Sequence, residues 1–277
     1  LEVSTNLGNL PKKEAIHEPM YDVRRCLVPG PGEVFVEGDL SNAEARIVAA
    51  LCGNKMLLER MADPEFDVYR WTAATILKKP MEGVTKADRV LYKEACLALG
   101  YGMGWLTYMR RVNDNAEHTG VTITAYQAKA VVAAYHRLHP SLQGWWKHAA
   151  EKLAERGVLT TGFGRTRRFF GRRSYEGWLD ETHKEAIAFE PQSTVADLLN
   201  RGLLRWWKHH DGMWGRLLLQ VHDSVLLTVP AEKAAVAGKL LKRCLEEEII
   251  VNGIKLTIPA EVSCGRESWS GLEKLAA

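Results

Sequence analysis

The sequence predicts an α/β (α+β) chain, and three observations carry that prediction. A short strand ending in a carboxylate stands near the start, Val34-Phe35-Val36-Glu37-Gly38-Asp39. From about residue 55 to 155 the apolar residues follow a helical pattern. Late in the chain two strand-like runs, Leu217–Val221 and Ser224–Val229, flank His222-Asp223, a two-residue connection of hairpin length. Strands at both ends with helices between them give a mixed class with an antiparallel pair.

Each element has its local reason. Residues 1–31 are polar and irregular, punctuated by Pro11, Pro29, Gly30 and Pro31. Asp39 closes the first strand, and Ser41-Asn42-Ala43-Glu44 has the capping-box pattern that opens a helix through Ile47 and Leu51. The helical middle is interrupted near Pro80–Gly83, Gly100–Gly104, Asn113–Gly120 and Pro140. Ala87–Leu99 contains neither Gly nor Pro and reads as one good helix. Residues 157–175 turn basic and glycine-rich, and a helix spans about 181–209. After the strand pair come a helix near 231–248 and a last strand near 255–263.

Bulk properties narrow the class. A chain of 277 residues buries one large core or two modest ones. Its 46% hydrophobic and 26% charged residues are an ordinary globular balance. The net charge of +3 is too small to argue for a nucleic-acid partner, so local clustering must carry that case. Five scattered cysteines without CxxC spacing read as reduced thiols of a cytoplasmic protein. No apolar run reaches membrane-spanning length, and no basic-then-apolar leader opens the sequence. The absence of an initiator Met would suit a fragment.

Phosphoryl transfer asks a protein for charge neutralisation and in-line positioning more than for covalent help. Two divalent ions about 3.5–4 Å apart supply both, and magnesium prefers carboxylates plus substrate phosphates. Asp39 and Asp223, each at a strand end, suit such a pair if their strands share a sheet. Taken singly, each reads more simply as a capping or a turn aspartate. Arg89, Lys93 and Leu97 recur at four-residue spacing on one helix face, with Tyr101 at its glycine-rich end. Two cations on one face can clamp a triphosphate; alone, they are also an ordinary solvated face.

Arg165, Arg167, Arg168, Arg172 and Arg173 crowd into nine residues, interleaved with Phe163, Phe169, Phe170 and Tyr175. Such a strip suits phosphate contact and base stacking, or is a basic surface loop. Gln192 can donate to the minor-groove acceptors shared by all base pairs, or is a solvated helix residue. His222 beside Asp223 invites a catalytic dyad, but no Gly-x-Ser-x-Gly elbow supports triad chemistry.

Taken in order, these segments resemble family A DNA polymerases, the group of bacterial DNA polymerase I and many phage replicases. Asp39-Leu40-Ser41-Asn42-Ala43-Glu44-Ala45-Arg46 is similar to the first palm motif, D-Y-S-Q-I-E-L-R. Arg89-x-x-x-Lys93 with Tyr101-Gly102 resembles the fingers motif, and Gln220-Val221-His222-Asp223 matches the last palm motif, Q-V-H-D-E, up to its final residue. Weaker echoes keep the same order: Asn6–Pro11 (N-L-Q-N-I-P), Phe163–Arg167 (F-G-R-R-R) and Pro191–Asp197 (P-x-Q-G-T-A-A-D).

The resemblance implies an antiparallel-sheet palm with an inserted, mainly helical fingers domain. The palm would be 1–58 and 190–277, the fingers 59–189. It implies two magnesium ions, with manganese as an alternative, on Asp39, Asp223 and the backbone carbonyl of Leu40. Incoming dNTP would meet Arg89, Lys93, Leu97, Tyr101, Glu44 and His222, with Lys93 counted among the catalytic groups. Glu44, bonded to Tyr101, would leave no room for a 2′-hydroxyl. Primer-template DNA would meet Gln192, Arg165, Arg167, Arg168, Lys184 and Arg46. The expected setting is the cytoplasm of a bacterium or of a phage-infected host.

Three departures qualify the match. Ser224 replaces the Glu after the last aspartate, and Leu97 stands where the family often has an aromatic residue. The thumb and exonuclease domains do not fit before residue 1, so a missing segment or a separate chain would supply the thumb. Two rivals are a single-subunit RNA polymerase, which Glu44 disfavours, and a non-catalytic DNA-binding or assembly subunit of the same fold. The retained Asp39, Asp223, Arg89 and Lys93 speak against the latter.

Overall fold

A computed structural model describes residues 22–170, 181–209 and 214–275. Asn6–Pro11, Arg172, Arg173 and Tyr175 lie outside the described residues. A 3-10 turn, Val23–Cys26, precedes strand β1, Glu33–Leu40. Eight helices follow: α1 (Ala43–Leu51), α2 (Lys55–Met61), α3 (Val68–Leu77), α4 (Lys86–Leu99), α5 (Trp105–Asp114), α6 (Ala116–Thr119), α7 (Ala125–Leu138) and α8 (Ser141–Arg156). Next come β2 (Val158–Thr160), β3 (Thr166–Arg168) and the long α9 (Glu181–His209). The chain closes with β4 (Arg216–Val221), β5 (Ser224–Pro230), α10 (Ala234–Leu245), β6 (Glu248–Val251), β7 (Ile254–Thr257), β8 (Ala260–Gly265) and β9 (Glu273–Lys274). Among the described residues no helix is long and apolar enough to cross a membrane.

Two compact units result. The first comprises the described parts of Leu1–Ala43, Val195–Ile249 and Lys255–Ala277; the second comprises the described parts of Glu44–Thr194, with Ile250–Ile254.

The first unit is built on a five-stranded antiparallel sheet in the order β4-β5-β1-β8-β9. Alternation along β1 sorts its faces: Val34, Val36, Gly38 and Leu40 lie on one side, Phe35, Glu37 and Asp39 on the other. Helix α10 covers the Gly38 side. A Cβ at Gly38 would stand 2.8 Å from both Leu241 Cδ2 and Leu245 Cδ1, so a side chain there would have to displace both leucine methyl ends. On the opposite face Phe35, Val221, Leu226 and Trp269 form an apolar cluster, with Leu27, Leu219 and Leu272 around it. Trp269 Nε1 donates to Glu37 at 3.1 Å, which marks where that face turns from apolar to polar on the way to Asp39.

The second unit is helical, and side chains begin several of its helices. Thr85 and Asp88 form a reciprocal capping box on α4, as do Thr124 and Gln127 on α7. Asn54 caps α2 and Asp67 caps α3. Asn252 donates to the carbonyl of Leu51 at 3.1 Å and so satisfies a C-terminal acceptor of α1.

The structure corrects three elements of the sequence reading. The helix near 231–248 begins with a 3-10 turn and stops at Leu245, and β6 follows immediately. The single strand at 255–263 is two, β7 and β8, interrupted at Ile258-Pro259, where proline offers no ladder donor. The basic stretch after 157, assigned no element from sequence, holds a β-hairpin, β2 paired to β3.

Candidate functional site

The sheet brings the two aspartates of the first unit together. Asp39 pairs directly with Ser224 across β1 and β5, so the residue after Asp223 lies opposite Asp39. The Leu40 amide donates to the Asp223 carbonyl at 2.9 Å, which ties the β4–β5 turn to the end of β1. That turn has the two residues expected, His222 and Asp223, with Val221 facing Ser224. His222 takes a positive φ of 52°, as the first central position of a two-residue hairpin requires. His222 is exposed and Asp223 partly buried.

On the far side of β1, Asp39 pairs with Glu261 of β8. Directly opposed residues share a sheet face, so Ser224, Asp39 and Glu261 form one row across three strands. Glu261 is engaged there: Ser41 donates to it at 3.2 Å and Lys274 pairs with it at 2.8 Å. Ser224 is 6% exposed, and its hydroxyl donates back to the Val221 carbonyl at 3.1 Å.

This donor set suits a hard divalent cation that completes its shell with substrate phosphates and water. Among the described residues no group of three or more His, Cys, Asp or Glu could hold a metal by itself. Two carboxylates at adjoining strand ends are therefore what the sheet offers, and they are the oxygen ligands magnesium prefers.

In the second unit, α4 presents the expected cationic face. Lys93 is exposed, and Arg89 is half-buried. The structure adds two residues that the sequence reading missed. Arg89 Nε donates to Asp67 Oδ2 at 2.5 Å. Tyr69 lies under both cations, with its ring centroid 5.7 Å from the Arg89 guanidinium and 6.0 Å from Lys93 Nζ. Burial pushes the Asp67 carboxyl up, but the bonds from Arg89 and from the Arg70 and Tyr69 amides outweigh it and hold it below the usual carboxylate range. An aspartate before an apolar helix is a readable N-cap signal; its partner across helices is not.

Tyr101 donates its phenol to Glu44 at 2.7 Å. Burial first, then the neighbouring Glu44 carboxylate, push that phenol far above its ordinary value, so it stays a donor at any working pH. Leu97, Glu44 and Tyr101 are among the residues that line a cavity of about 60 Å³, large enough for water. Val48, Leu57, Val68 and Leu142 give it apolar walls, and the buried His139 lines it too.

The remaining expected residues are scattered within the units. Arg165 sits in the turn between β2 and β3, while Arg167 and Arg168 lie exposed on β3. Arg167 pairs with Glu185 and stacks on Phe169, 4.7 Å from its centroid. Lys184 is bonded to Glu181 at 2.8 Å, and Gln192 is exposed on α9. Arg46 is only 5% exposed, and burial lowers its otherwise very high value. Leu40 is fully buried.

Comparisons with known proteins bear on the family and the fold of the chain. The family model described as DNA polymerase family A matches residues 2–270. The chain is 28% identical over 273 residues to the thermostable DNA polymerase I of Thermus aquaticus, covering 95% of this chain and 30% of that protein. It is 27% identical over 254 residues to the DNA polymerase of Mycobacterium phage D29, covering 91% of this chain and 37% of that protein. It thus spans about a third of the length of these curated relatives. Its fold is similar to the POL domain of Pol1 from M. smegmatis, solved in complex with DNA primer-template and dNTP. That match has a TM-score of 0.79 at 21% identity and covers 96% of this chain and 44% of the other.

Proposed function

The chain belongs to DNA polymerase family A, and from that membership we propose that it is the palm and fingers of a template-directed DNA polymerase. The palm is read as residues 1–58 and 190–277 and the fingers as 59–189. The reaction is attack of a primer 3′-hydroxyl on the α-phosphate of a dNTP, with pyrophosphate leaving. One observation carries the reading: backbone pairing places Asp39 and Asp223 at adjoining strand ends of one sheet.

Magnesium or manganese ions held by Asp39 and Asp223 would polarise the 3′-hydroxyl and neutralise the leaving group. Arg89 and Lys93 bind the triphosphate, the arginine through its planar fork and the lysine as a point charge. Glu44, held by Tyr101, faces the sugar and selects against a 2′-hydroxyl. Leu97 offers the same nucleotide an aliphatic surface that cannot stack as an aromatic ring would. Arg165, Arg167 and Arg168 neutralise backbone phosphates of the primer-template, and exposed Gln192 reads the minor groove.

Magnesium-dependent primer extension by the wild type beside Asp223→Asn tests the assignment. Removing one carboxylate from charge stabilisation worth several kcal/mol should cut extension on the order of a thousandfold. Equal extension by both proteins overturns the site.

A further inference from the structure

We propose that Asp67 is a positioning residue for the nucleotide site: it holds the Arg89 guanidinium in the orientation that receives a triphosphate. The inference rests on the reading of Arg89 given above and adds a residue outside every motif of that reading.

The geometry is a relay from backbone to side chain. Asp67 Oδ1 accepts the amides of Tyr69 and Arg70, both at 3.0 Å, which fixes the carboxylate on the first turn of α3. Its other oxygen, Oδ2, accepts Arg89 Nε at 2.5 Å. Arginine carries five donors in a rigid fork, so engagement through Nε orients the plane and leaves the terminal amino groups to another acceptor. Tyr69, two residues along the same turn, supports the guanidinium from its ring face at 5.7 Å.

The pair adds little as bulk electrostatics. The Arg89 and Asp67 side chains are 37% and 27% exposed, where solvent screens an ion pair strongly. What the bond provides is order. An untethered arginine loses rotamer freedom when it meets a phosphate; one already held has lost it beforehand. A competing role for the same bond is a latch that withholds Arg89 from the nucleotide, and the two roles differ in sign.

The test is the affinity of the full chain for dTTP with magnesium, titrated on a primer-template, in four proteins: wild type, Asp67→Asn, Arg89→Ala and the double variant. Asparagine still caps α3, so the fold is kept, and Asp67→Ser repeats the experiment with a second capping residue. Positioning predicts that Asp67→Asn weakens dTTP roughly tenfold, the scale of one charge-assisted hydrogen bond. It also predicts that the double variant binds no worse than Arg89→Ala alone. If Arg89→Ala weakens binding but Asp67→Asn leaves it unchanged or tightens it, Asp67 is not a positioning residue and the reading of Arg89 stands. Additive losses would place the effect of Asp67 in the fold and overturn the proposal. Should Arg89→Ala itself leave affinity unchanged, the reading of Arg89 fails and the inference goes with it.

Discussion

The carboxylates of the first unit and the cations of the second are placed by different kinds of bond. Asp39 is located by its β1 register against β5 and β8, and the turn carrying Asp223 is pinned by the Leu40 amide. None of those bonds depends on which side chains the residues carry. Arg89, by contrast, is held by the side chain of Asp67 on a neighbouring helix, and α3 and α4 begin with side-chain caps. A ladder fixes position tightly; a long side chain held by one carboxylate can be released and recaptured. The proposed metal centre, which would have to keep its geometry, suits the first solution, and the proposed nucleotide site, which would have to bind and let go, suits the second. Changes near the carboxylates should therefore register as stability, and changes near the cations as affinity.

The strongest challenge to this contrast is Gly38→Val. Its new side chain would point into Leu241 and Leu245, where even a Cβ stands at 2.8 Å. Overpacking a core costs about 1–3 kcal/mol, and a branched residue that must displace the methyl ends of two buried leucines should cost at least about 2 kcal/mol. Lys93→Ala, on an exposed helix face, should stay within about 0.5 kcal/mol of wild type. Urea denaturation of both variants measures the difference. Similar midpoints for the two would mean that the packing of α10 does not anchor the strand that carries Asp39.

What the sequence made legible divides along the same line. Asp39 and the His222-Asp223 turn could be read because a strand's period of two and a two-residue connection are local properties. That β8 lies beside β1, bringing Glu261 into a row with Asp39, depends on pairing distant segments and leaves no local mark. Helix α4 was readable from its unbroken run of helix formers, and its Thr85–Asp88 box could have been read with it. The Arg89–Asp67 bond depends on how α3 packs on α4 and could not. The β6–β7 hairpin does carry a local mark. Asn252-Gly253, with φ of 50° and 75°, is the strongest short hairpin signal, but a helix reading carried through Glu246 to Glu248 obscured it. The β2–β3 hairpin hides for a different reason: its strands are three residues each, one of them Thr-Arg-Arg.

A pH titration sharpens the comparison, with a smaller effect. His139 in the second unit is 6% exposed, and burial first, then nearby His136, lower its value to about 4. It stays neutral in the fold and takes up a proton on unfolding, so the unfolded state binds more protons between that value and about 6.5. Stability should then fall as pH drops through that window, by about 1.4 kcal/mol per unit, or about 2 kcal/mol at pH 5. His139→Phe keeps a ring against Tyr135, now 4.6 Å away, and removes the proton site. Its stability loss between pH 7 and 5 should be visibly smaller than that of the wild type. Equal losses would move the pH sensitivity to another group.

The smallest expected effect probes whether affinity and selection in the helical unit rest on single side-chain bonds. Tyr101→Phe deletes only the hydroxyl that donates to Glu44 at 2.7 Å. Glu44 remains, so the proposed wall against a 2′-hydroxyl would persist, no longer held by the phenol. The loss of one hydrogen bond to a carboxylate at a partly open site is worth about 1.5 kcal/mol, the low end for such bonds, or roughly a tenfold fall in the ratio of kcat/KM for dNTP over rNTP. Glu44→Ala removes the wall itself and should lower that ratio further. The order of the two variants is the informative part. If Tyr101→Phe matched Glu44→Ala, the phenol and not the carboxylate would set the sugar edge, and the side-chain-held unit would be organised from the turn after α4 rather than from α1.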